Sequence, residues 1–392
     1  MTVTAVARQD AGAMTREEAL ERARALAASL RRYVDEAEAG RRLPKGAVEA
    51  MEASGLLRLV RPGRFGGLEM DWMTLLDCVA EVGKVSGSLA WCFCFLMQHQ
   101  WVLGYFPEAA QAAVYGRDAD PRIVTSFGAF GKAEPEPGGY RLSGDWSFGS
   151  GGDHCSWAIV GAPVVGPKPG MRWFLLQRGQ FAIRDTWNSV GLKGSGSNNI
   201  VVDGASVPEE FSLDLGAAYG GHAPGSQFLD GPLHQAPLSS QFQFGLLSPM
   251  MGVARGALET FVEFSRDRVG GMTGSKVAES PLLQVRIGEA AAEIDAAYAI
   301  LDRISRGVQS GELATPAVAA RVGRDFGFCA KLMVQAVDRL FAVAGARGLN
   351  EGSALGRHWR DVHAISNHVA LNSETLFQAF GRQALGLPPP GR

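Results

Sequence analysis

The sequence is short of several features that would mark a function class at once. No long apolar run is present. The longest, Leu89 to Met97, is too short to cross a bilayer, so no membrane role is expected. Neither charge dominates: 38 Lys and Arg stand against 40 Asp and Glu, a formal net charge of −2. There is no basic stripe for nucleic acid. Cysteine is scarce and odd in number, five in all, which argues against a disulfide framework. We expect five small hydrophobes in a reducing cytoplasm. The first fifteen residues lack the apolar core of a secretory signal, which also points to the cytoplasm. No Gly-x-Gly-x-x-Gly follows a strand and opens a helix. The nearest miss to a phosphate loop, Gly270 to Lys276, has the wrong spacing. A nicotinamide cofactor bound by either of those routes is therefore not expected, and no repeat at solenoid periods is found.

What is there is a globular chain of 392 residues, 46% of them hydrophobic. Its texture changes twice, and the reading is α+β. Residues 1–118 read as a helical domain, with a capping box at Thr15 to Glu18 and apolar positions at helical spacing from Leu26 to Ala37. Residues 119–212 carry short β-branched or aromatic runs between Gly and Pro clusters, the signature of an antiparallel β-domain. Residues 213–240 lack periodicity and read as a loop. Residues 241–392 return to helix and suggest a four-helix bundle, with starts at Ser280-Pro281 and Thr315-Pro316 and stops near Gly345 and Gly348.

One stretch raises the question of chemistry: Trp146-Ser-Phe-Gly-Ser-Gly-Gly-Asp-His-Cys-Ser-Trp157. Asp153, His154 and Cys155 are ligand types. Adjacent positions point in different directions, however, and no second ligand pair exists, so no metal is expected. A plain hairpin turn would account for the glycines. It would not account for the flanking tryptophans, or for a second loop of the same texture, Gly191 to Ser197, preceded by Trp187. Two Gly/Ser loops offer N–H and hydroxyl donors beside flat apolar walls, as a planar polar-edged ring requires.

The helix–β–helix order, Trp146-Ser-Phe-Gly-Ser-Gly151, Trp187 with Gly191 to Ser197, and Arg357-His-Trp-Arg-Asp361 followed by His368 resemble the acyl-CoA dehydrogenase fold. They are most similar to its flavin-dependent monooxygenase branch, the oxygenase components of two-component aromatic hydroxylases such as p-hydroxyphenylacetate hydroxylase. The resemblance implies reduced FMN or FAD supplied by a separate flavin reductase. It further implies reaction with O2 through a C4a-hydroperoxide, a small aromatic substrate and a homotetramer. An N- or S-oxygenase and an acyl-CoA dehydrogenase are the alternatives. The dehydrogenase needs a carboxylate base, and its expected position is occupied by His368; Glu259 is the nearest acid on the earlier helix. The stretch Asp338 to Gly345 lacks the family's Gln for the FAD diphosphate, which leaves FMN and FAD both open.

Carried over residue by residue, the resemblance implies that His368, His99 and Ser150 are catalytic. Ser150 would lie near flavin N5, and His368 would serve as hydrogen-bond donor. Trp146, Phe148, Ser150, Gly151, Trp187, Ser195, Gly196 and Ser197 would line the flavin. Trp91, His99 and Ser126 would meet the substrate, with His99 sharing a phenol proton. Trp101, Tyr105 and Phe106 could extend an aromatic wall, and Arg255 or Arg286 could hold a substrate carboxylate. Asp361 and His368, seven residues apart, would share a face of a continuous helix.

Overall fold

The computed structural model describes residues 14–166, 169–269, 274–312 and 316–388. Thr315 and most of the Gly270 to Lys276 stretch lie outside them. The chain begins with six helices: α1 (Arg16–Leu30), α2 (Val34–Gly40), α3 (Lys45–Ala53), α4 (Trp72–Gly83), α5 (Gly87–Leu103) and α6 (Glu108–Tyr115). Thr15 and Glu18 form the capping box that starts α1. Asp71 and Ser86 cap α4 and α5 with their side-chain oxygens.

Eight strands follow: β1 (Ile123–Ser126), β2 (Gly131–Glu136), β3 (Gly139–Gly149), β4 (Trp157–Val164), β5 (Gly170–Gln177), β6 (Ala182–Arg184), β7 (Asn198–Pro208) and β8 (Ser212–Asp214). They form one sheet in the order β6-β7-β3-β2-β4-β5-β8, with β1 paired to β4 off that path. Most pairings are antiparallel, as the strand-and-turn texture implies. The β1–β4 and β2–β4 pairings are parallel.

The 213–240 segment is where the structure departs most from expectation. It is not a plain loop: it holds the end of β8, α7 (Leu215–Tyr219), α8 (Pro232–Gln235) and two 3-10 turns. Side chains of α5 and the turn after it hold it down. Trp101 Nε1 donates to the Leu233 carbonyl at 3.0 Å, and Tyr105 OH reaches the Leu233 and Ala236 carbonyls. Gln241 satisfies the same carbonyls from the other side. Trp101, Tyr105 and Phe106 are wholly buried. Trp101 and Tyr105 anchor this segment, and none of the three reaches a surface where it could extend a substrate wall.

The remaining helices are α9 (Phe244–Arg266), α10 (Pro281–Gln309), α11 (Pro316–Ala342), α12 (Ala354–Ser366) and α13 (Ser373–Ala384). α9 lies tightly on α4. A Cβ on Gly252 would sit 2.7 Å from the Gly83 α-carbon, so only paired glycines permit this approach. α12 packs on α9 and reaches α5. The turns at one end of the β3–β7 pair, the buried helix α5 and α12 thereby meet at one place.

Candidate active site

α5 is enclosed on nearly every side: all its residues from Gly87 to Leu103 are buried except Phe95. Trp91, one turn earlier, is buried and donates from Nε1 to Ser150 Oγ at 2.9 Å. Ser150 Oγ lies 2.7 Å from Ser197 Oγ, which lies 2.7 Å from Ser195 Oγ. The two serine turns are therefore joined through hydroxyls. They are joined through the backbone as well, where Gly151 N donates to the Ser195 carbonyl at 2.9 Å. Gly151 (φ +68) and Gly196 (φ +53) hold left-handed conformations that only glycine adopts without strain.

Proton counting bears on the direction of this hydroxyl chain. Three hydroxyls bring three protons, and two O···O contacts use two of them. Ser195 is fully buried, and its hydroxyl meets no acceptor besides Ser197 among the described residues. An orientation in which Ser195 donates to Ser197, and Ser197 to Ser150, gives both of those protons an acceptor. With Trp91 donating into Ser150, that orientation leaves the Ser150 proton pointing out of the chain. In that orientation Ser150 is an outward donor that receives two inward ones.

Beside it stands an apolar edge. Phe148 is 65% exposed, although it is a large aromatic side chain, and it holds a left-handed φ of 74°. Its ring lies 6.0 Å from that of half-buried Trp187, at 78°. Trp187 Nε1 donates to the Leu192 carbonyl, and Asn198 Oδ1 accepts from both Thr186 N and Trp187 N, which fixes the loop into the second serine turn.

His368 lies near Trp91, with ring centroids 6.2 Å apart. The helix carrying Asp361 is not continuous to it: α12 ends at Ser366, and His368 has extended backbone at the start of a new turn. Its Nδ1 accepts from Ala370 N at 3.2 Å. That bond assigns the ring proton to Nε2. Burial pushes the pKa of His368 down to about 4, so the ring is a neutral Nε2–H donor at neutral pH. Asp361 lies instead under the second serine turn, where its Oδ1 accepts from Leu192 N at 2.7 Å. Burial pushes its carboxyl up to about 7.

Several expected residues take other places. Trp146 does not share the exposed side on which Phe148 lies. It is wholly buried, donates from Nε1 to the Gly161 carbonyl, and packs where Cβ atoms on Gly131 and Gly144 would clash. Trp146 and Phe148 share a face in an ideal strand. A register shift between Trp146 and Gly149, with Phe148 left-handed inside it, puts them on opposite faces. His99 is not free to share a phenol proton. Its Nδ1 lies 2.6 Å from the Ile123 carbonyl and its Nε2 lies 2.9 Å from Thr125 Oγ1, so both nitrogens are used to fasten β1 to α5. Ser126 donates to the Ser147 carbonyl. Arg255 is paired with Asp77, Arg286 with Glu289, and Glu259 with Lys84 on the surface. His154 meets the Leu43 carbonyl, and Asp153 faces Arg42 across 3.9 Å. Among the described residues, no three metal-type side chains converge.

The structure adds aromatic residues that the sequence reading left out. Phe95 lies 4.5 Å from Trp91 and 5.0 Å from His99 by ring centroids. Phe127 stacks on Trp173 at 4.1 Å and meets Phe242 edge-on at 5.5 Å. Phe95, Phe127 and Phe242 are each only partly buried, and form an aromatic lining from Trp91 toward β5. Two clefts open, the second of them lined in part by Asn188, Ser189, Val190 and Lys193 at the second serine turn. One, of about 410 Å³, lies between Thr260, Arg347 and Ser353; the other, of about 650 Å³, lies between Glu38, Lys193 and Arg357. Neither is lined by Ser150 or His368.

Comparison with known proteins fits this geometry. Residues 13–115 match the acyl-CoA dehydrogenase N-terminal domain, and residues 244–373 match the C-terminal domain. The chain is 33% identical to the flavin-dependent monooxygenase oxygenase subunit HsaA of Rhodococcus jostii (strain RHA1), over 94% of this chain and 98% of that protein. This chain belongs to the flavin-dependent monooxygenases of the acyl-CoA dehydrogenase fold. A second relative of the monooxygenase family is the FADH(2)-dependent resorcinol hydroxylase oxygenase component of Rhizobium sp. (strain MTP-10005), 33% identical over 91% of each chain. The crystal structure of 3-HSA hydroxylase from Rhodococcus sp. RHA1 superposes with a TM-score of 0.89 at 33% identity, covering 95% of this chain and 97% of that one.

The described residues suit the flavin of a monooxygenase. Ser150 offers one outward donor, Phe148 and Trp187 offer apolar edges, and His368 offers a neutral Nε2–H across Trp91.

Proposed function

We propose that this monooxygenase is the oxygenase component of a two-component system that hydroxylates a small aromatic compound. A separate reductase would supply reduced FMN or FAD. When bound, the flavin supplies the electrons for O2 activation, with one oxygen atom passing to the substrate and the other leaving as water. The observation that carries the reading is the hydroxyl chain Ser195–Ser197–Ser150, bonded to Trp91, whose ring lies 6.2 Å from that of His368.

In this reading each side chain has a physical task. Ser150 presents its hydroxyl proton to a polar edge of the ring. Phe148 and Trp187 exclude water from an apolar face. His368 holds its proton at Nε2, where it can donate to an oxygen developing negative charge. Phe95, Phe127 and Phe242 suit a flat apolar substrate. Exposed Leu282, Val285 and Phe328 on α10 and α11 support self-association, in keeping with the homotetramer expected from the family. All five cysteines are free and buried, which supports a reducing, cytoplasmic setting.

The test is anaerobic titration with chemically reduced FMN and FAD, followed by rapid mixing with O2. Bound flavin should reoxidise more slowly than free flavin. A phenol panel under labelled O2 should then give one labelled oxygen per product. Reoxidation at the free-flavin rate would refute the reading.

A further inference from the structure

We propose that Asp361 is a positioning residue: its carboxyl oxygen Oδ1 holds Leu192 left-handed and so sets the second serine turn against Ser150. The inference rests on the reading that these turns seat reduced flavin. Leu192 has φ 51° and ψ 33°, a conformation unfavourable for an L residue other than Asn or Asp. Three bonds hold it there. Its N–H donates to Asp361 Oδ1, and its carbonyl accepts from Trp187 Nε1 and from Ser195 N at 3.0 Å each. The last of these closes the turn bearing Ser195.

Nothing in the turn can absorb a shift of α12. A Cβ on Gly191 would sit 2.3 Å from the Arg360 carbonyl oxygen, so helix and turn are in direct contact. α5 grips the same turn from the other side, where Ser88 Oγ accepts from Gly194 N and the Cys92 thiol donates to the Ser195 carbonyl. α5 also presses on Asp361 itself, since a Cβ on Gly87 would lie 2.5 Å from Oδ2. One carboxyl group thus sits where α12, the serine turn and the start of α5 meet, and α5 carries Trp91 onward to Ser150. Oδ2 has no hydrogen-bond partner among the described residues. Burying a half-satisfied carboxyl is costly, and an apolar side chain of similar size would suit mere packing better.

The test uses Asp361→Asn, Asp361→Ala and the double variant Leu192→Gly with Asp361→Ala. Two readouts are taken: amide hydrogen exchange over residues 188–198 without flavin, and the Kd for reduced FMN. Losing the acceptor should speed exchange in the turn, and weaken flavin binding, by about tenfold or more, with β4 unchanged. Asp361→Asn keeps an acceptor and should stay within about threefold of wild type. Glycine adopts the left-handed conformation unaided, so Leu192→Gly should recover most of the loss in Asp361→Ala, folding included. Native exchange and affinity in Asp361→Ala would overturn the proposal. So would an Asp361→Asn variant as impaired as Asp361→Ala, or a double variant with no recovery. If wild-type protein bound no reduced flavin, the functional reading would fail, while exchange in the flavin-free protein would still decide the role of Asp361.

Discussion

Substituting His368 separates its two nitrogens, because each has a different task. Nδ1 caps the turn at Ala370, and Nε2 carries the proton offered to the site. Asn places an acceptor near the Nδ1 position but has nothing at Nε2; Ala has neither. The cap is worth about 1 kcal/mol, at most ~4 °C in Tm for a chain of this size. Removing a preorganised donor typically lowers a rate by about 10²–10³, roughly 2.7–4 kcal/mol of barrier. His368→Asn should therefore melt close to wild type yet hydroxylate about 100-fold more slowly, while reduced-flavin Kd changes little. His368→Ala should lose both stability and rate. The assay is single-turnover product formation with pre-reduced flavin, alongside thermal unfolding. Because burial holds His368 near pKa 4, no inflection from its titration should appear between pH 5.5 and 8. A His368→Asn enzyme with wild-type turnover, or a His368 inflection near pH ~6.5, would refute the assigned tautomer and role.

Four further outcomes are expected. His99, His234, His358 and His368 are each pushed by burial to a pKa of about 4, below the unfolded value, so their contribution is present above pH ~6.5 and lost as pH falls through 4. Asp361, raised to about 7, works the other way, its contribution being lost as pH rises from ~4 through 7. The four histidines outweigh it, and urea midpoints should fall from pH 7 to pH 5. Trp146→Phe strands the buried Gly161 carbonyl and should lower stability by about 1–3 kcal/mol, leaving reduced-flavin affinity within about twofold. Gly151→Ala strains a left-handed turn by about 1–2 kcal/mol and should weaken flavin binding as well as Tm. Thr125→Val removes the partner of His99 Nε2, and should destabilise the protein measurably by thermal melt without abolishing turnover.

Much of this site could be read from residue order alone. The serine turns and Trp187 stand out by composition, whereas His368 is marked only by the family resemblance; Trp91 lies between Ser150 and His368, and Trp187 joins the second turn through Leu192. The errors have local causes. A shift of one residue in strand register, with Phe148 left-handed inside it, turns Trp146 inward, and a period-two reading cannot foresee it. α5 has apolar residues all round its first three turns, so its pattern gives no sign that Phe95 alone is less than fully buried. His99 sits in a polar triplet, but its partners are a carbonyl and a hydroxyl from β1, distant in sequence. The 213–240 segment takes its order from carbonyls bound to Trp101, Tyr105 and Gln241, which local composition does not encode.

A crystal structure with reduced FMN, soaked without oxygen, tests the central claim most directly. The account predicts the isoalloxazine against Phe148 and Trp187, a polar edge within hydrogen-bond reach of Ser150 Oγ, and Nε2 of His368 facing the ring. A ring seated instead in the cleft by Thr260, Arg347 and Ser353, with Ser150 and His368 untouched, would contradict it.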